Sequence, residues 1–248
     1  MSTGPRIALD ESAEDPGAAI WFAEPAGFTA IPMAPLLNLP TAPGADGLRV
    51  ALGPLLEAAP DDVSRERFVA ELAAGQEVLR VLCEAGTVHC SVGLHRDDVA
   101  ESGGDAEGRP LRSFFTLSWR DTAVAPPSVT AARSVTPAGH HTRIEYVDLP
   151  SGPASISETV RTPSPDSGLA QQPLLQIHAH IPHPEGKRLA VLTLTTTEIA
   201  HREQYRAILD QMAGLVSFDD PLASREQRAE SREQRAESRY CRGIPVSR

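Results

Sequence analysis

The sequence predicts an α+β fold, an antiparallel β-sheet with helices packed against it, and three stretches carry that expectation. LLQIHAHI and RLAVLTLTTT alternate apolar and polar residues on either side of PHPEGK, the strongest hairpin signal in the chain. EIAHREQYRAILDQMAGLVSF follows directly, with Tyr205, Ile208, Leu209, Met212, Leu215 and Val216 at helical spacing. Upstream, Phe68, Leu72, Leu79 and Leu82 form a second helical stripe opposite a charged face.

Taken in order, residues 1–19 are polar, acidic and bear Gly and Pro, the composition of a flexible terminus. A single domain is expected over 20–220. It opens with Trp21, Phe22, Phe28 and Ile31, broken by Pro25, Gly27 and Pro32 into short strands joined by turns. LNLPTAPGADG reads as a loop. Asp61 or Asp62 can cap the first long helix, and Gly86 is placed to end it. A strand follows in TVHCSVGLHRDD, with Val88, Cys90 and Val92 to one side. ESGGDAEGRP is a turn-rich connection to LRSFFTLSWRD, where Phe115, Leu117 and Trp119 oppose Arg112, Thr116 and Ser118.

Residues 122–139, rich in Ala, Pro, Ser and Thr, fit a short helix or a loop equally. A strand over about 142–147 ends at the turn signals Pro150, Gly152 and Pro153. After the loop RTPSPDSGLAQQP comes the hairpin, and Thr196 or Thr197 can cap the helix that leaves it. Residues 221–248 form a charged tail in which SREQRAE occurs at 224–230 and again at 231–237. No position of that heptad offers an apolar residue larger than Ala, so it has no coiled-coil seam. Like charges also fall at i and i+4, Glu226 with Glu230 and Arg228 with Arg232, which leaves a disordered or transiently helical extension.

Composition narrows the function. The 248 residues are 41% hydrophobic, enough for a real core, and the net charge of -10 disfavours nucleic acid and anionic membrane as partners. From Leu222 onward seven arginines stand against four glutamates, with Tyr240 the sole aromatic, so the tail is no evident nucleic-acid arm. Lys187 is the only lysine, which with abundant Ala, Gly and Pro suggests a GC-rich bacterial genome. Cys83, Cys90 and Cys241 are dispersed and odd in number, against a disulfide framework. The opening residues lack a basic segment followed by an apolar run, and no stretch approaches ~18 apolar residues. A soluble, cytoplasmic protein without membrane insertion is expected.

Chemistry is most suggestive in HAHIPHPEGK. In the strand before it Leu175, Ile177, Ala179 and Ile181 share one side, and Gln176, His178 and His180 share the polar other. His178 and His180 at i and i+2, with His183 curling back from the turn, could together ligate zinc. No carboxylate or cysteine stands nearby to complete that set, and the cross-strand neighbours Thr193 and Thr195 are ordinary strand residues. Plain hairpin architecture is the stronger reading, and a metal-binding protein or metal-dependent hydrolase using His178, His180 and His183 is the alternative.

Other candidates fall short. His140 and His141 point apart if both lie in a strand, His201 sits with Arg202, Glu203 and Arg206 on what reads as a solvated face, and His89 and His95 bracket a strand with no partner evident. Ser155 and Ser157 lie in SGPASISE, which lacks the G-x-S-x-G elbow and reads as a turn. The phosphate and dinucleotide loops, H-E-x-x-H and the EF-hand pattern are missing as well. Adjacent acids such as Asp97 with Asp98 or Asp219 with Asp220 splay apart. No catalytic or cofactor-binding residue is therefore assigned, and no cofactor is expected.

The order of these elements, with IWFAEPAGFTAIP, DLPSGPA and HAHIPHPEGKRLAVLTLTT leading into HREQYRAILDQMAGLVSF, resembles the actinobacterial proteins with a PsbP-like α/β/α sandwich, LpqN-type members included. The resemblance covers about residues 20–218 and is best from Asp148 to Phe218. It implies a sheet that serves as a recognition or scaffold surface, and it brings no catalytic residues with it. LpqN-type proteins carry a lipoprotein signal that the opening residues here do not match. The expected function is that of a non-enzymatic interaction or accessory protein of a bacterial system, acting on an unidentified protein partner.

Overall fold

The computed structural model describes residues 8–9, 20–37, 61–96, 110–136, 141–167 and 171–219. The charged tail, the acidic pairs Asp97/Asp98 and Asp219/Asp220 (in the second, all but Asp219), most of the first 19 residues and the connection over 101–109 lie outside that set. Of the first 19, strand β1 (Ala8–Leu9) is described, paired antiparallel with β2 (Ala23–Glu24).

The remaining elements are β3 (Phe28–Ala30), α1 (Met33–Leu37), α2 (Asp62–Glu84), β4 (Thr87–Arg96), β5 (Pro110–Asp121), α3 (Pro127–Val135), β6 (Arg143–Leu149), β7 (Gly152–Arg161), β8 (Leu174–Pro182), β9 (Arg188–Thr196) and α4 (Arg202–Gly214). Seven strands form one antiparallel sheet in the order β3-β4-β5-β9-β8-β7-β6. This is the α+β architecture the alternating strands predict. Two meanders meet where β5 pairs with β9, so the chain must pass from β5 across three strands to reach the far edge at β6. Helix α3 makes that crossing. It falls in the stretch that the sequence left open between helix and loop, and it starts with Pro127, whose missing N–H is harmless at a first helical position.

Local signals fix the other helix ends. Asp61 accepts a hydrogen bond from the Ser64 N–H at 2.7 Å and caps α2 as expected. Gly86 ends it at a φ of 88°, and an added Cβ would lie 2.4 Å from the Trp119 carbonyl oxygen, so only glycine fits. At α4 the expected cap is displaced: the Thr196 hydroxyl accepts from the Glu198 N–H at 3.1 Å, and a 3-10 turn over Ile199–His201 precedes the helix proper.

Register then sorts side chains onto two faces. On the first, Phe115, Leu117, Ile156, Ile177, Leu192 and Leu194 are all at most 2% exposed, beneath Tyr205, Leu209, Met212 and Ala213 of α4. Each such leucine contributes about 2 kcal/mol of hydrophobic stabilisation. Leu215, expected in the same stripe, is 48% exposed because α4 ends at Gly214. Arg206, expected on a solvated face, is 5% exposed.

The second face carries the rows Thr116, Thr193, His178 and Ser157. It is covered as well. Thr130, Ala131 and Val135 of α3 are buried over β7 and β8, where the Ser155 hydroxyl donates to the Ala131 carbonyl at 2.9 Å. Helix α2 lies over the β4 end, where Leu79 packs with Met33, Cys90 and Phe114. The segment SGPASISE, read as a turn in sequence, is most of strand β7, and residues 154–159 are buried within it. Small side chains are what let α3 approach there.

Candidate functional site

The imidazoles of His178 and His180 lie side by side on the second face, ring centroids 5.9 Å apart. Pairing places Thr193 and Ser157 beside them: His178 Nδ1 is 2.9 Å from the Thr193 hydroxyl, and His180 Nε2 is 3.5 Å from that of Ser157. The face is polar, as its sequence predicts, but α3 shields it, leaving His180 7% exposed. Burial is the main cause that pulls His178 down to about 4, helped by His141, Arg120 and Arg161. Burial likewise pulls His180 down to about 3, with His178, Arg120 and His141 adding to it. Both rings are neutral at physiological pH.

Neutral imidazoles suit a metal, yet the third expected ligand is elsewhere. His183 follows Ile181 onto the first face, where its ring meets Phe218 at 4.9 Å and Trp119 at 6.1 Å. Its Nδ1 accepts from the Glu185 N–H at 3.2 Å, closing the turn. The sheet itself separates His183 from His178 and His180, so the convergence considered for zinc is not formed. Among the described residues no group of three or more His, Cys, Asp or Glu side chains is arranged to hold a metal ion.

Nucleophilic chemistry finds little support at the same place. Ser157, paired directly with His178, also meets His180 diagonally on the neighbouring strand, a contact that sequence spacing could not nominate. Their 3.5 Å contact is long for a hydrogen bond, Ser157 is fully buried, and His180 Nδ1 has no partner among the described residues to orient it. Cys90 is no better placed, since burial first, then Cys83 and Glu24, pushes its thiol up to about 11. The partner of His89 that sequence did not reveal is Glu24, at 2.8 Å, and Phe22 packs edge-on against the ring at 4.9 Å. This contact ties the N-terminal segment to the sheet. At the other end of β4, Ser113 Oγ and His95 Nε2 flank Gly93, where a Cβ would lie 2.3 and 3.0 Å from them, but neither forms a hydrogen bond among the described residues.

A different feature is open to solvent. Leu79 is the one side chain of α2 that is buried among those described, while Leu72 and Leu82 are half-covered. Helix α1 props α2 up: the Gln76 side-chain amide donates to the Leu36 carbonyl at 2.9 Å. Beneath, Ile31, Leu36, Leu72, Gly75, Val78, Leu79 and Phe114 line an apolar groove of about 330 Å³. A second recess of about 430 Å³ lies on the other side of the α1 contact, between Leu37, Val69, Gln76 and Arg80. The sequence signal for the floor was present, since Phe114 falls on the polar side of an otherwise alternating strand. The role of Ile31 and Leu36 was not legible, because α1 starts in residues read as strand and turn.

The chain matches no family model, no curated protein and no solved structure. Its own geometry must carry the functional reading. Among the described residues no helix is long and apolar enough to cross a membrane.

Proposed function

We propose that this protein is a non-enzymatic interaction subunit of the PsbP-like α/β/α type, which holds an apolar segment of a partner protein in the groove between α2 and the sheet. The groove carries the reading. Its lining is almost wholly apolar, it is open along one side, and a 23-residue helix forms its lip while burying one side chain, Leu79, among those described. Exposed contiguous apolar surface of this kind marks contact sites more often than it decorates a monomer. A helix on each side of the sheet supports the sandwich type. The imidazole pair favours a competing reading less, since His180 is buried and no third ligand joins the pair among the described residues.

The test is capture from bacterial lysate at several salt concentrations, comparing the full chain with Val78→Glu. Val78 stands at the groove rim and is 57% exposed, so the fold tolerates the change. The reading expects a protein retained by the parent and lost from the variant. Retention of the same proteins by both, or of none by the parent, overturns it.

A further inference from the structure

The two ends of the sheet are unequal. β3, at one edge, is three residues long and runs into Ile31 and Pro32, a short and proline-stopped edge of the kind that discourages further pairing. β6, at the other edge, runs seven residues in unbroken register with β7 and contains neither proline nor lysine. Among the described residues no strand pairs its outer side. Tyr146 is 61% exposed and Ile144 44%, both on the second face. On the first face Glu145 is already neutralised by Arg206 at 2.7 Å and Arg143 at 3.6 Å.

An open row of backbone N–H and C=O groups specifies its occupant more narrowly than an apolar patch does, because only an extended chain satisfies it. We infer that β6 pairs antiparallel with β6 of a second copy of this chain, about a two-fold axis at Tyr146. The segment RIEYVDL is compatible with its own reverse. With Tyr146 opposite its counterpart, Ile144 faces Asp148, Glu145 faces Val147 and Arg143 faces Leu149, so no two like charges are directly opposed. The exposed tyrosines stack across the axis, and the two sheets become one. A single seven-residue strand pair buries less than the ~1,200 Å² of a tight interface, so the dimer is weak and concentration-dependent. This contact is at the sheet edge, away from the groove, and stands without it.

Sedimentation of the full chain over a wide concentration range tests the pairing, beside Ile144→Lys/Tyr146→Lys, which places charges on the edge without touching the core. The parent is expected to shift toward a two-chain species as concentration rises, and the double variant to remain a single chain. Single cysteines then read the register: with a short thiol cross-linker Tyr146→Cys gives a covalent dimer above the parent background, and Asp148→Cys, displaced from its own copy, does not. A parent that stays monomeric throughout overturns the proposal. So does a dimer that the lysines leave intact, or one that cross-links at 148 and not at 146.

Discussion

Arg202 Nη2 lies 2.5 Å from Oε1 of Glu158, a carboxylate 2% exposed on the first face of the sheet. Arg206, buried beside it, reaches Glu145 at 2.7 Å and approaches Glu158 at 3.9 Å. Helix α4 is thus fixed to β6 and β7 by charge as well as by its apolar stripe. Glu158→Ala leaves Arg206 buried against one exposed carboxylate and is expected to lower unfolding free energy by about 3 kcal/mol. Replacing both, as Glu158→Leu with Arg206→Met, should recover part of that loss. Urea titrations of the three chains measure it, and equal stability of parent and Glu158→Ala would contradict the role.

Acid should weaken the fold through His178 and His180. Each has a folded pKa, about 4 and about 3, below the ordinary value of 6.5 that the unfolded chain restores. Between those values the unfolded chain binds protons that the folded chain refuses, so stability is full above ~6.5 and declines as pH falls. At about pH 5 the loss is about 2 kcal/mol per histidine. A His178→Gln/His180→Gln variant should show a flatter fall over this window, as read by thermal melts from neutral pH to about pH 4. An unchanged slope would sink the assignment.

The three imidazoles lie on opposite sides of the sheet, His183 on the first face and His178 and His180 on the second. Elemental analysis after dialysis in metal-free buffer is expected to find no near-stoichiometric zinc shared by His178, His180 and His183. A stoichiometric ion in the parent, lost in the triple alanine variant, would contradict this expectation.

Two glycines should respond in opposite directions. Gly86→Ala forces a side chain to a φ of 88° and against the Trp119 carbonyl, and is expected to destabilise by about 2 kcal/mol or more. Gly75, inside α2 with nothing within 4 Å of an added Cβ, should give a gain of about 0.5–1 kcal/mol as alanine. Comparing denaturant midpoints of the two variants checks both signs, and a stabilised Gly86→Ala would refute the first.

The hairpin β8–β9, the alternation of β5, both ends of α2 and the stripe of α4 as far as Met212 were legible in the sequence. Those are local matters: period two or 3.6 in apolar residues, a capping aspartate at 61, a glycine at 86. That a helix lies over the histidine face and buries His180 came from the tertiary arrangement. Polar residues at alternate positions predict a wet face, and nothing in LLQIHAHI states that the chain leaving β5 must cross that face to reach β6. The same crossing turned SGPASISE into a buried strand, since its serines and alanine are small enough to lie under α3. The neighbouring strand brought His180 diagonally to Ser157, packing of the N-terminal segment on β4 brought Glu24 to His89, and the parity of the strand sent His183 to the other side. Arg206 is buried for the same physical reason: a charge beside other charges in sequence reads as solvated until a sheet supplies Glu145 and Glu158 from 61 and 48 residues away.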